Sequence, residues 1–365
     1  MTEELTVAMT WRDLPAAAQA VLRETGCLYT SAAWLAVEEI AHPGDHRYLS
    51  ATSGGAVAVA AAYRFDETNN PWPAARPDLF VAEQTGRHDA RLAQLLPSWV
   101  LGGRRPGHTH VPASGAQQQR RDALTRLLAG AAQGAADAGA ATLAALYCPS
   151  ADTDLTEAFA AQGGVRLPAP GLNTLRLPAG GWESWLAKLS RKRRNAELAD
   201  ARKLADAGVR LRVQPLTPAD VEKIVPLELS LYTKYGHDYR ADEARRLHLA
   251  YLAHLRDDAL IVRAERDGQM VGFVSVIRSG TTAYLRQAGF DARGCEGTPV
   301  YFGTVFHEPV RWAATTGVRA LDLSTSMDEV KQRRGAVTSE REAWVVPLTS
   351  AVAKALRATV ASPPA

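Results

Sequence analysis

The sequence predicts an α/β (α+β) chain of two successive domains, each a mixed, mostly antiparallel sheet flanked by helices. Three observations carry this expectation. The length of 365 residues suits two cores at roughly 150 residues per domain. The second half alternates strand and helix patterns in a recognisable order. The first half passes through a similar order, with no residue-level repeat visible.

In the second half, Val209-Arg210-Leu211-Arg212-Val213 alternates apolar and basic residues, the signature of a half-buried strand. Thr217-Pro218-Ala219-Asp220 then supplies an N-cap with proline at the first helical position, opening a helix that runs to Gly236. A second helix covers Ala241 to Leu255. Strands at Ala259 to Val262, Met270 to Ile277 and Thr281 to Phe290 are joined at Asp267-Gly268 and Ser279-Gly280, dipeptides that suit hairpin turns. Pro299 to Thr316 returns to helical spacing and stops at Gly317. A strand at Ala320 to Leu323, a short helix from Met327 to Arg334 and a strand at Trp344 to Val346, expected to close this second sheet, complete the order. A meander followed by a crossover helix that delivers a parallel strand is thereby predicted.

The first half reads as a strand from Leu5 to Trp11, helices at Pro15 to Arg23 and Ser31 to Ile40, and a hairpin of Tyr48 to Thr52 with Ala56 to Phe65. Asn69-Asn70-Pro71-Trp72-Pro73 begins a proline-rich excursion to about Pro97, of a length that often marks a functional loop or lid. A crossover helix from Gln117 to Ala138, a strand from Ala141 to Tyr147, a helix from Leu155 to Gln162 and a last strand from Leu172 to Leu177 follow. Trp182 to Ala207 is a basic amphipathic helix between the halves. The expected boundaries are 1–178, a linker helix 179–208, and 209–365.

Composition bounds the function. Apolar residues at 46% and charged residues at 22% are ordinary for a globular protein. A net charge of +3 is too small to argue for nucleic-acid binding by itself, and no DNA partner is expected, but Arg191-Lys192-Arg193-Arg194 concentrates four cations in one helical turn. Cys27, Cys148 and Cys295 form no CxxC and read as reduced thiols. The acidic start, Met1 to Trp11, lacks a signal-peptide pattern, and no apolar run reaches the roughly 20 residues of a membrane helix, so a cytoplasmic location and no membrane partner are expected. His108 and His110 sit at strand spacing with no third ligand nearby, and no metal site is expected. Tyr284 and Arg286, two apart on a strand, share one sheet face.

The stretch Trp185 to Asn195, its charged helix and Gly208-Val209 resemble the start of the second domain of Fem-like, tandem-GNAT acyltransferases. Gly289-Phe290-Asp291, then Phe302 to Trp312, Gly317, the strand ending at Asp322, and Glu329 to Gly335 resemble that family's closing half in order and spacing. Residues 170 to 346 carry the likeness, and the family includes BioF-like and peptidoglycan-bridge-type enzymes. It implies two tandem GNAT-like domains and transfer of an acyl or aminoacyl unit to an amine, from aminoacyl-tRNA in several members and from CoA thioesters in others. It further implies that Glu329, Lys331 and Arg334 face the reaction cleft, Glu329 orienting or deprotonating the amine and Lys331 neutralising a phosphate or oxyanion. Tyr232 and Tyr235, with His237 and Tyr239, fall where that fold forms its acceptor-side wall, and Tyr284 and Arg286 fall beside the donor.

A CoA-binding member carries a Q/R-x-x-G-x-G/A loop after the fourth strand, feeding a helix N-terminus. Here Arg286 to Asp291 ends in an acid, and Arg104-Arg105-Pro106-Gly107-His108-Thr109 matches no better. The leading expectation is therefore amide formation by transfer from aminoacyl-tRNA to a small amine in a biosynthetic role. Arg191, Lys192, Arg193 and Arg194 would then contact phosphates, and no cofactor would be needed. The alternatives are an acyl-CoA-dependent N-acyltransferase, with acyl-CoA as co-substrate, and a non-catalytic GNAT-like binding module.

Overall fold

The computed structural model describes residues 5–41, 44, 46–68, 74–87 and 90–361. Two compact units divide it: Met1–Leu35, Pro43–Gly171 and Glu340–Ala365 form the first, and Ala36–His42 with Leu172–Ser339 the second.

In the first unit, neighbouring strands run β1 (Leu5–Ala8), β2 (His46–Ser53), β3 (Ala56–Phe65), β4 (Ser98–Leu101), β5 (Thr142–Pro149) and β12 (Val337–Pro347). The first four are antiparallel, β4 and β5 are parallel, and β12 returns antiparallel with Trp344 opposite Ala145. Helices α1 (Ala16–Glu24), α2 (Ala32–Ala41, crossing the boundary between units), α3 (Pro77–Thr85), α4 (Gln117–Asp137) and α5 (Thr153–Ala161) follow in the chain. The crossover α4 buries Leu124, Leu127 and Leu128 against Leu101 and Ala145. On the other face α3 contributes Phe80 and Val81 to a second cluster.

In the second unit the order is the end of β6 (Val165–Arg176), then β11 (Ala320–Asp322), β10 (Thr282–Phe290), β9 (Gln269–Ser279), β8 (Ala259–Arg266) and β7 (Arg210–Pro215). Only β10 and β11 are parallel among these pairs. The helices are α6 (Gly181–Lys188), α7 (Arg191–Asp206), α8 (Pro218–Lys234), α9 (Ala241–Leu255), α10 (Val300–Phe302), α11 (Glu308–Thr316) and α12 (Asp328–Gln332). Helix α13 (Ser350–Ala361) returns to the first unit.

Local chemistry explains these elements. Thr217 and Asp220 form a reciprocal capping box at the start of α8, contributing about 1 kcal/mol by the usual worth of such caps. Asp267 and Gly268 both have positive φ, 52° and 76°, which the tight hairpin between β8 and β9 requires. Gly289 has no tolerable substitute: a Cβ there would lie 2.4 Å from the Leu227 carbonyl carbon of α8.

Four expectations are corrected. Trp344 to Val346 joins the first unit's sheet, beside β5, and the end of β6 (Thr174 to Arg176) pairs with β11 in the second, so each half of the chain gives its last strand to the other unit. The units therefore cut at Gly171 and Glu340 rather than at 178 and 208, and the linker helix belongs to the second unit as two helices broken at Leu189–Ser190. The proline-rich excursion is largely core: α3, a turn at Ala90–Leu95 and β4 bury Phe80, Leu92 and Leu95. Its opening residues Asn69 to Pro73 lie outside the described residues. The strand expected to reach Trp11 ends at Ala8, and Trp11 to Asp13 form a single 3-10 turn.

Candidate active site

The second unit contains an opened parallel pair. Residues of β10 and β11 match from Thr282 with Ala320 to Tyr284 with Asp322; β11 then ends while β10 continues to Phe290. Beyond that point β10 bulges, its register with β9 slipping between Leu285 and Ala288. Diverging strands leave main-chain groups of β10 without a sheet neighbour, a geometry suited to holding an extended acyl donor and its carbonyl.

One lip of this opening is the turn after β11, where Ser324, Ser326 and Met327 all have positive φ, at 60°, 65° and 52°. Left-handed non-glycine residues in such a run are strained, and strain of this kind concentrates at functional sites. Lys331 holds the turn. Its Nζ donates to the carbonyls of Leu323 at 2.6 Å, Thr325 at 2.7 Å and Ser324 at 3.3 Å. Burial pulls the amine down to about 8, opposed by Asp328 and Asp322. From the other side Asn173 donates its side-chain amide to Ser324 O and to Asp328 Oδ1.

This arrangement alters the roles expected on α12. The Lys331 ammonium has three donors and three protein acceptors, so it positions the turn instead of meeting a phosphate. Glu329 points to solvent, with its side chain 75% exposed and paired with Arg333, which leaves it outside the opening. Arg334 is 2% exposed. Its guanidinium lies 3.7 Å over the Phe302 ring, donates to Val330 O and sits 2.8 Å from Glu197 Oε1, so it is engaged by protein and not available to bind substrate directly.

Glu197 is the centre of a buried network that residue patterning does not reveal. Its carboxylate meets Arg334 Nε and Arg193 Nε at 2.8 Å each, and His307 Nε2 at 2.7 Å. Burial pushes the Glu197 carboxyl up, but the His307 hydrogen bond and the two arginines outweigh it and hold it below the usual range. His307 lies in a π-helical turn, Gly303–His307, and its ring meets Trp182 edge-on at 4.9 Å. Helix α7, the π turn and the turn that follows α12 are thus joined through one carboxylate. The sequence signal for it was the four-residue spacing of Arg193 and Glu197.

The cation run does not act as one face. Arg193 turns inward to Glu197, and Arg191 and Lys192 are exposed. Beside it, a groove of 540 Å³ is lined by Lys188, Lys192, Arg193 and Arg333, with Leu189, Ser190, Ala196, Gln332 and Gly335; no carboxylate side chain appears among these lining residues. Groups expected near the donor and acceptor are partly brought together. Tyr284 is buried at the last position of β10 that pairs with β11, and Arg286 is half-buried two residues further on, where β11 has ended. Tyr232 packs edge-on against His237 and Tyr239 at 6.2 and 4.8 Å, and Tyr235 is 65% exposed. Tyr301, which the sequence did not single out, donates to Met327 Sδ at 3.7 Å; burial raises its phenol, Arg334 opposes, and Tyr235 adds to the rise.

After β10 the chain turns at Asp291, whose carboxylate accepts the N–H groups of Arg293 at 3.1 Å and Gly294 at 3.0 Å. The amides that a pyrophosphate loop would present to its anion are therefore satisfied internally. The first unit differs again. Its β4–β5 pairing extends to Val100 with Ala144, and the Gly102 to Val111 segment then folds into the opening. Gly102 N–H donates to Ala61 O and His110 N–H to Gly102 O, while Thr109 and Tyr147 exchange Thr109 N–H to Tyr147 O at 3.3 Å and Tyr147 N–H to Thr109 Oγ1 at 3.2 Å. Side chains at Gly102 and Gly103 would strike the returning strand at 2.8 and 2.7 Å. His108 and His110 stack at 5.8 Å in this plug.

Residues 190–332 match the acetyltransferase (GNAT) domain family. No curated protein matches the sequence. Among solved structures, FemX aligns with TM-score 0.60 at 11% identity, covering 94% of this chain and 97% of that one. The L-PGS of Bacillus licheniformis gives 0.56 at 12%, covering 95% and 96%. A tandem GNAT protein from the clavulanic acid biosynthesis pathway gives 0.52 at 18%, covering 95% and 99%. At these identities the likeness is one of fold. The opened sheet of the second unit and the matching domain agree: residues 190–332 carry a GNAT-type acetyltransferase domain, and the chain as a whole shares the fold of FemX and of the tandem GNAT protein.

Proposed function

We propose that the chain forms an amide by moving an aminoacyl group from aminoacyl-tRNA to a small amine, with the donor held by the second unit. The observation that carries this reading is the 540 Å³ groove lined by Lys188, Lys192, Arg193 and Arg333, the two arginines paired from behind with Glu197 and Glu329, in the same unit as the opened β10–β11 pair. Nucleic-acid backbones are bound chiefly by such charge. Two further features support it. The turn after β10 spends its amides on Asp291, which leaves a CoA pyrophosphate poorly served, and the opening of the first unit is filled by its own chain. FemX and L-PGS share the fold at low identity.

In the reaction, the acceptor nitrogen attacks the ester carbonyl, a C–N bond forms, the bond to the ribose oxygen breaks, and the proton leaving nitrogen ends on that oxygen. Direct attack makes positioning the main demand, so the strained turn held by Lys331 and the bulged β10 are the parts that matter. The small amine acceptor and a cytoplasmic site of action belong to the same proposal; among the described residues no helix is long and apolar enough to cross a membrane.

The second reading, transfer from acyl-CoA, is favoured by the fold shared with the clavulanic acid pathway protein, solved without AcCoA. One pair of experiments separates the two. Filter binding of charged tRNA at low salt, with affinity falling steeply as salt rises, supports the proposal. Thermal stabilisation by acetyl-CoA, worth about 2.7 kcal/mol at a hundred times its dissociation constant, with no tRNA retained, overturns it.

A further inference from the structure

The first unit holds a cavity apart from the opened β10–β11 pair. It lies between the sheet and the C-terminal half of α4 and has a volume of 340 Å³, within the range of small-ligand pockets. Leu49, Leu101, Leu143 and the Trp99 ring form its apolar wall. The helix side is low because α4 carries glycine there: a Cβ added at Gly134 meets no atom within 4 Å. The space is thus a consequence of sequence, a helix with small residues where a leucine would otherwise fill the layer.

Trp99 and Leu143 lie at the starts of the parallel strands β4 and β5, whereas the opening plugged by Thr109 lies past Val100 and Ala144, so the cavity is separate from it. Among the described residues, two polar groups at the cavity lack matching partners. The Trp99 Nε1 is buried without an acceptor, although the residue is 7% exposed. The Arg47 guanidinium lies 5.7 Å over the Trp99 ring and donates to the His46 carbonyl, and no described carboxylate pairs with it. The acid nearest in the lining, Asp137, is exposed and takes a hydrogen bond from Gln133 through its Oδ1.

We infer that this cavity is a binding site for a small amphipathic carboxylate, a medium-chain or aryl acid whose apolar body fills the space under α4 and whose carboxylate pairs with Arg47. The chemistry follows from the two ends of the cavity. An apolar wall attracts a hydrocarbon at about 25 cal/mol per Å² buried. A cation that no described carboxylate pairs with prefers an anion to a neutral head group. This site is independent of the reading given above for the second unit.

The test is calorimetric titration of the full chain with octanoate and, in parallel, 1-octanol, backed by quenching of tryptophan fluorescence. Octanoate is expected to bind with one site per chain. Gly134→Leu fills the cavity and abolishes binding of both ligands, and because Gly134 is an exposed helical position this variant keeps its fold. Arg47→Met weakens octanoate about tenfold, as loss of one ion pair of about 1.4 kcal/mol would, and leaves 1-octanol unchanged. No binding of octanoate at millimolar concentration, or binding that neither substitution alters, overturns the inference.

Discussion

Replacing Lys331 by methionine tests whether this residue serves architecture or chemistry. Methionine keeps the length of the side chain and removes the ammonium. The carbonyls of Leu323 and Thr325, now bonded at 2.6 and 2.7 Å, lose their donor. Bare buried acceptors cost roughly 1–3 kcal/mol each, about 4 kcal/mol for the pair. Methionine avoids the cost of burying a charge, which returns part of this, so the net loss is about 2–3 kcal/mol. For a unit of this size that lowers Tm by roughly 6–10 °C.

The pH dependence gives a second and sharper signature of the same residue. The folded amine titrates near 8, below its ordinary 10.5. Between those values the unfolded chain binds more protons than the folded one, so stability rises with pH across the window, by up to about 3 kcal/mol. Lys331→Met abolishes that rise. Calorimetric unfolding of both proteins at pH 7 and in steps up to pH 10.5 measures both effects. An unchanged Tm at pH 7 together with complete loss of turnover would show that the ammonium acts on substrate and not on the turn.

Further substitutions probe the rest of the site. Glu197→Ala removes the carboxylate shared by Arg193, Arg334 and His307 and leaves buried cations uncompensated, so a loss of about 3–5 kcal/mol is expected in denaturant unfolding. Glu329→Ala, at a side chain 75% exposed, should change stability by less than about 0.5 kcal/mol and leave turnover near the parent value in a steady-state assay. Gly289→Ala places a methyl group 2.4 Å from the α8 backbone and is expected to destabilise by several kcal/mol, read as a fall in the urea midpoint. Lys192→Glu with Arg333→Glu, both lining the groove, should reduce the slope of log affinity against log salt for tRNA by about two, since each phosphate contact contributes roughly 0.9.

Much of the fold could be read from short-range chemistry. The N-cap at Thr217, the Asp267-Gly268 turn and the alternation in Arg210 to Val213 each dictate their own local structure, and each forms as expected. Partner choice was not legible. Trp344 to Val346 looks like a strand from its β-branched and aromatic residues, but nothing in those residues says which sheet edge it meets. Strand β4 was hidden because four residues between Pro97 and Gly102 are too short to show a period. At the site, the opened pair was inferred from element order, whereas the direction of each side chain was not. A lysine and a glutamate two positions apart on α12 look alike in sequence, yet Lys331 is buried under three carbonyls and Glu329 is exposed. Glu197 was hidden for the opposite reason: a carboxylate within a highly charged helix reads as solvated, and its burial depends on His307, 110 residues away.

Because β12 supplies the neighbour of β5 in the sheet that begins with β1, the N-terminal unit is unfinished until the second unit has been made. During synthesis the free edge of β5 waits for Arg341 to Pro347, so truncation after Ser339 should leave an aggregation-prone edge rather than an independent domain. A gene split near residue 178 would strand both products in the same way, and the two pieces would become soluble only when produced together.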